Sequence, residues 1–207
     1  MTLIVAALWA ESLPIGLALS ERRMVGRRLV MGSVHGQEVA LLRCGVGLAK
    51  AEQEGERILS RLPITRVISV GTCGSLRADL PVGEVITASS VHHSLKAHTQ
   101  DAQPIPGVRA VPLVSVGDPV FTRARRRQLA PVAAACEMEA AALQHCAGDR
   151  AFSALKVVSD LAGAEEDAAF SPGDPAAFLR FQRRAAELVH RALLPPLLAS
   201  LRPGRHP

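Results

Sequence analysis

Several apolar runs of strand length, separated by stretches with helical periodicity, constrain the fold of this chain most. LIVAAL (3–8) and RVISVG (66–71) are continuous apolar runs, as expected of strands buried on both faces. FSALKVVSD (152–160) and GEVITASSV (83–91) read as further strands. RAVPLVSVG (109–117) does too, with Pro112 marking an edge or a bulge. RRLVMGSVHGQEVALLRCGVG carries two strand-like runs around His35-Gly36-Gln37, the pattern of a hairpin. Between them, LAKAEQEGERILSRL (48–62) places Leu48, Ala51, Ile58, Leu59 and Leu62 on one helical face and stops before Pro63. TRARRRQLA (122–130) and EMEAAALQHCA (137–147) read as helices. A long amphipathic helix runs from Asp174, its cap, to Leu201, with a break or kink near Pro195-Pro196. Strands alternating with helices predict an α/β domain with one sheet covered on both faces. A length of 207 residues fits one domain spanning 1–207.

Composition narrows the function classes. The net charge is +5 and the pI about 9.6. However, the arginines cluster on expected helices (TRARRRQLA, LRFQRRAAELVHR), without the interleaved aromatics that a single-strand nucleic-acid binder uses for stacking. A solvated basic face is the reading, and no nucleic-acid partner is expected. No run of eighteen apolar residues occurs, so no membrane span is expected. MTLIVAALWAE lacks a basic leader and reads as a first strand. Cys44, Cys73, Cys136 and Cys146 form no C-x-x-C pair, and His92, His93 and His98 have no acid or cysteine pair beside them. The expectation is reduced thiols, a cytoplasmic location and no metal. RCGVGLAKA has Lys50 where a dinucleotide-binding turn would carry a third glycine, so no nucleotide cofactor is expected.

Three acidic stretches raise a different possibility. CEMEAAALQH (136–145) sets Glu137 and Glu139 beside three alanines, where a surface helix would set lysines. AALWAES carries Glu11 after the first strand, and KVVSDLAG carries Asp160 at the end of a late one. VISVGTCGSL ends a buried run in Gly71-Thr72-Cys73-Gly74-Ser75, where backbone can approach a ligand closely. Each residue also has a plain structural reading. Glu11 suits a helix N-terminus, Asp160 a cap, Glu139 an ion pair and Met138 core filling.

In combination and in this order, VISVGTCGSL…LPVGEVI, CEMEAAAL and VVSD resemble the purine nucleoside phosphorylase superfamily along nearly the whole chain. The resemblance is greatest to its 5′-methylthioadenosine/S-adenosylhomocysteine nucleosidase branch. It implies a single three-layer domain with a central mixed β-sheet flanked by helices. It implies hydrolysis of the N-glycosidic bond of a purine nucleoside, adenine most of all, without cofactor or metal. By that resemblance Glu11 activates water and Asp160 protonates the base at N7. Met138 and Glu139 hold the ribose, Gly74 lines the substrate turn, and Phe121 meets the base. The phosphate-binding arginines of the phosphorylase branch are not matched: AALWAES replaces one loop and Ser69 the other position. Lys156 stands where an arginine is usual, Val120 where a phenylalanine is, and Trp9 and Ala10 where further acids are. Phosphorolysis, a specialised nucleosidase of futalosine or adenosyl-hopane type, and a non-catalytic nucleoside-binding protein remain alternatives. The implied partner is a small-molecule nucleoside, and the implied assembly a homodimer covering VHHSLKAHT (91–99) near the pocket mouth.

Overall fold

The computed structural model describes residues 1–96, 98–163 and 174–203. Its centre is β1 (Thr2–Ala6), which pairs in parallel with β4 (Gln37–Arg43) on one side and β5 (Arg66–Ser75) on the other. Alternate β1 residues enter two different cores. Leu3 and Val5 join the first, and Ile4 and Ala6 the second. That is why the run is apolar at every position rather than every second one.

The first core is closed by α2 (Leu48–Leu59) and α4 (Ala140–Ala147). Ala140, Ala141 and Ala142 are buried, so the alanine run of the sequence permits close packing. The second core is closed by α1 (Trp9–Ala18) and by a C-terminal helical column. That column comprises α5 (Pro175–Leu188), a π-helical turn at Val189–Leu193 and α6 (Leu194–Ser200). Asp174 caps it, accepting from the Ala176 amide at 2.8 Å, and Pro175 fills the first turn, as expected. The irregularity anticipated at Pro195-Pro196 is the π turn immediately before them, which adapts the ladder to residues that cannot donate.

Beyond β4 the sheet continues through β3 (Leu29–Val34) to the fully exposed β2 (Ser20–Met24). The β3–β4 hairpin turns on His35 and Gly36, whose φ values of 50° and 76° suit a two-residue hairpin loop. On the other side the sheet curls. β10 (Ala151–Leu161), β6 (Val85–His93), β8 (Arg109–Ser115), β9 (Ala135–Glu137) and β5 follow one another, and β10 pairs again with β5. Five strands therefore close into a ring at one end of a mixed, helix-flanked sheet.

Several local expectations change. β5 does not stop at Gly71 but runs on to Ser75, because Gly74 and Ser75 pair with both β10 and β9. EMEAAALQHCA is not helical from Glu137: that residue ends β9, and α4 starts at Ala140. Pro112 lies inside the sheet, not on an edge, opposite a register shift between Ala88 and Ser90 that serves as the bulge. Part of the polar, proline-containing stretch HSLKAHTQDAQPIPG (93–107) is β7 (His98–Asp101), a hairpin partner of β6. α3 (Arg123–Leu129) is capped by the Thr122 hydroxyl. No helix among the described residues is long and apolar enough to cross a membrane.

Candidate active site

Carboxyl ends of β1 and β5, the start of α4 and the end of β10 surround a cavity of about 330 Å³. Glu11, Gly74, Phe121, Met138, Glu139 and Asp160, the residues singled out in the sequence, all line it. Residues from opposite ends of the chain thus meet because parallel strands deliver their carboxyl ends to one side of the sheet.

Glu11 is 3% exposed and fully oriented. Its Oε1 accepts from the Thr72 amide at 2.8 Å and the Thr72 hydroxyl at 2.9 Å. Its Oε2 accepts from the Leu8 amide at 3.0 Å, so the residue does cap α1. Two donors fill Oε1, while Oε2 keeps a lone pair for one further donor. Gly71 makes this possible. Its φ is 142°, and a Cβ there would fall 2.7 Å from Glu11 Oε1.

The two glutamates of CEMEAAAL divide their duties. Glu137 points inward, accepting from the Glu139 amide at 3.0 Å and from the Ala140 amide at 2.9 Å. It also takes a hydrogen bond from the Ser115 hydroxyl, whose oxygen in turn accepts from the Ala141 amide at 2.8 Å. The unpaired amides at the start of α4 are thereby satisfied by one carboxylate and one hydroxyl. Lys156, 2% exposed, completes the cluster: its Nζ lies 3.1 Å from Glu137 Oε2 and donates to Ser69 Oγ at 3.0 Å. Burial alone would lower the Lys156 pKa, but Glu137, Glu139 and Glu11 together outweigh it and hold the ammonium at about 12.

Glu139 is anchored differently. Among the described residues no arginine pairs with it; its Oε1 accepts from the Gly47 amide at 2.8 Å. Gly45 and Gly47 have φ of 89° and 101°, and this is the conformation that the glycine-rich RCGVG turn serves. Burial first, and then the neighbouring Glu137, push the Glu139 carboxyl up to about 8. Met138, between the two glutamates, lines the cavity and packs on the cluster around Leu76, Val114 and Val116.

Asp160 sits across from this group. β10 shifts register against β5 between Val158 and Asp160, bringing Asp160 opposite Gly74. Ser159 Oγ lies 2.6 Å from Asp160 Oδ1 and 3.1 Å from the Cys73 carbonyl. A Cβ at Gly74 would stand 3.1 Å from the Ala162 methyl and 3.4 Å from Asp160 Oδ2, so glycine keeps that floor open. Burial raises the thiols of Cys73 and Cys136, the latter to about 12 with help from Asp160 and Glu137, so both present neutral walls. Phe121 is 45% exposed at the rim.

The sequence reading missed Val46, Phe178 and Phe181, which also line the cavity, and the structural role of Glu137. The last of these was signalled by Lys156, a lone cation inside the apolar run FSALKVVSD that needs a buried partner.

The sequence profile of the phosphorylase superfamily matches residues 10–111. A 5′-methylthioadenosine/S-adenosylhomocysteine nucleosidase of Geobacillus sp. (strain WCH70) is 27% identical over 173 residues, 67% of this chain and 75% of the relative. The fold matches that of the nucleosidase of the same name from Colwellia psychrerythraea, solved with adenine. The TM-score is 0.77 at 18% identity, covering 97% of this chain and 95% of that one. It also matches a futalosine hydrolase mutant of Helicobacter pylori, with a TM-score of 0.74 at 17% identity, covering 95% and 97%.

The raised Glu139 carboxyl gives this protein a pH signature. The folded pKa of about 8 lies above the ordinary carboxylate value, so the folded state binds the extra proton. This group's contribution to stability is full below about pH 4 and is lost as pH rises through about 8. Glu139→Gln removes the term. Melting scans from pH 5 to 9 should show the wild type losing stability relative to the variant as pH rises. Parallel curves would show that Glu139 is ionised throughout.

Proposed function

We propose that this protein hydrolyses the N-glycosidic bond of a purine nucleoside, with adenine the favoured base, in the manner its relatives' names describe. The observation that carries this is the convergence of Glu11, Glu139 and Asp160 on one cavity with otherwise apolar or neutral walls. The reaction has three requirements, and each carboxyl meets one. Asp160 gives its proton to purine N7, so that the base leaves neutral as the C1′–N9 electron pair moves to it. Glu139 and Met138 hold the sugar; hydroxyls that donate to Glu139 favour its ionised form, and that carboxylate stabilises the positive charge that develops on the ring. Glu11, fixed by Thr72 and Leu8, uses the remaining lone pair of Oε2 to take a proton from water as its oxygen attacks C1′. The products are free base and free sugar. Solvent returns the proton from Glu11 to Asp160.

Hydrolysis rather than phosphorolysis follows from charge. A dianionic phosphate needs cations or a cluster of amides. Lys156 is already engaged by Glu137 and Ser69, and the cavity's charged lining among the described residues consists of carboxylates.

This reading takes residues 1–207 as one functional unit, a cytoplasmic homodimer with free cysteines. Leu95, 72% exposed on the β6–β7 hairpin beside Gly117, is the apolar residue a partner would cover. Light scattering at micromolar concentration that gave a fully active 21.9 kDa monomer would remove the dimer.

The chemistry is tested by base release from 5′-methylthioadenosine without phosphate. Glu11→Gln should lower kcat about a hundredfold or more with little change in substrate affinity. Asp160→Asn should abolish purine release yet spare a nitrophenyl riboside, whose leaving group needs no protonation. Near-normal turnover in Glu11→Gln, or equal loss of both substrates in Asp160→Asn, would refute the assigned roles. Ligand protection against melting without base release would mark a binding protein.

A further inference from the structure

We infer that the groove between α1 and the face of β2, β3 and β4 binds a free anionic amphiphile, a single alkyl chain ending in a phosphate or carboxylate. The groove has a volume of about 600 Å³ and shares no lining residue with the catalytic cavity among the described residues. α1 contributes Trp9, Leu13 and Leu17, a stripe at a spacing of four that follows one helix face. The sheet contributes Met24, Val30 and Leu41. These form one cross-strand row, because Met24 pairs with Val30 and Val30 with Leu41. Trp9, Leu17 and Met24 are each more than half exposed, so three large apolar side chains surround one concavity open to water.

The charged lining of the groove consists of Arg22, Arg27, Arg28 and Arg43, with no carboxylate among the described residues. Three of the arginines gather at one end. The Arg43 amide donates to the Arg28 carbonyl at 2.8 Å, and Arg43 Nη2 donates to the Arg27 carbonyl at 3.1 Å. Arg28 lies 3.5 Å from Glu54, a carboxylate that Arg57 holds more closely at 2.6 Å. Arg27 and Arg43 form no ion pair with a described residue. Trp9 stands at the same end: Ala6 of β1 is the register partner of Arg43, and α1 begins three residues after it. The groove therefore has a polarity, with guanidinium groups and an indole at one end and hydrocarbon beyond. Guanidinium forks pair with the oxygens of a phosphate or carboxylate. From Trp9 to Leu17 the helix advances about 12 Å, which gives an alkyl chain a bed over Leu13, Val30 and Leu41. Charge that guards an exposed edge strand accounts for Arg23, which lies outside the groove, but not for an apolar trough beside the other arginines. A peptide strand fits β2 poorly, because the register shift between Ser20 and Arg23 and the positive φ of Glu21 interrupt that edge. A second copy of this chain, with its net charge of +5, would bring like charge.

Trp9 is the one tryptophan of the chain, so its emission reports on the groove directly. The test titrates the full-length protein with decyl phosphate below its micelle concentration, and with decanol, its neutral analogue, at matched concentrations. Decyl phosphate should move the Trp9 emission to shorter wavelength and saturate, with an affinity at least about tenfold above that of decanol. Added salt should narrow the gap. Arg27→Gln combined with Arg43→Gln should close it, and Leu17→Glu should weaken binding of both compounds. Melting curves confirm that each variant is folded, and decanoate should compete with decyl phosphate. No saturable shift, an equal response to decanol, or an unchanged decyl phosphate affinity in the arginine variant would overturn the inference. A shift with phosphatidylglycerol vesicles but not with decyl phosphate would overturn it too, and would mark a membrane-docking face instead.

Discussion

The ion pair between Lys156 and Glu137 is the interaction on which the site depends. Two opposite charges, each almost wholly out of water, are tolerable only when geometry and further hydrogen bonds offset their desolvation. Both conditions are met. Lys156 has Ser69 as a second partner, and Glu137 has the Ser115 hydroxyl and two backbone amides. This cluster ties β10, β5, β8 and the start of α4 together at one point. Breaking it would leave a buried carboxylate unpaired, a change that costs about 3–5 kcal/mol in comparable cases.

The consequences run outward from that point. Glu137 faces inward as the anchor of α4, so Glu139, two residues on, is placed at the head of the helix with its carboxyl in the cavity. The positive Lys156 also sits among three carboxylates, which limits the repulsion between Glu137 and Glu139. Closure of the five-strand ring brings β10 beside β5, and the register shift before Asp160 sets it opposite Gly74. Glu11 is set independently, by its own helix start and by Thr72. Three acids with different surroundings can therefore act differently on one ligand.

The sequence was informative where one residue's pattern sufficed. Apolar runs marked β1, β5 and β10, helical spacing marked α2, and Asp174-Pro175 marked the start of α5. The three cavity-lining acids were legible through ordered motifs, because Glu11 and Glu139 stand at helix starts and Asp160 near the end of β10. What was not legible depends on partners distant in the chain. Gly71 to Ser75 looks like a turn, yet it is strand because β9 and β10 pair with it. β9 is three residues long, too short to show a period, so the helix was expected three residues early. β2, SERRM, is a wholly exposed edge strand without apolar alternation. Phe178 and Phe181 lie on a helix whose apolar face serves both core and cavity, a division that periodicity does not mark.

Water, activated by Glu11, as the nucleophile at C1′ is the central chemical claim. Phosphorus-31 NMR of the reaction with 5′-methylthioadenosine in phosphate buffer tests it most directly. The expected spectrum keeps inorganic phosphate as its one signal while adenine accumulates at the rate seen without phosphate. A sugar 1-phosphate resonance growing in step with adenine would show that phosphate, not water, attacks, and would contradict the account.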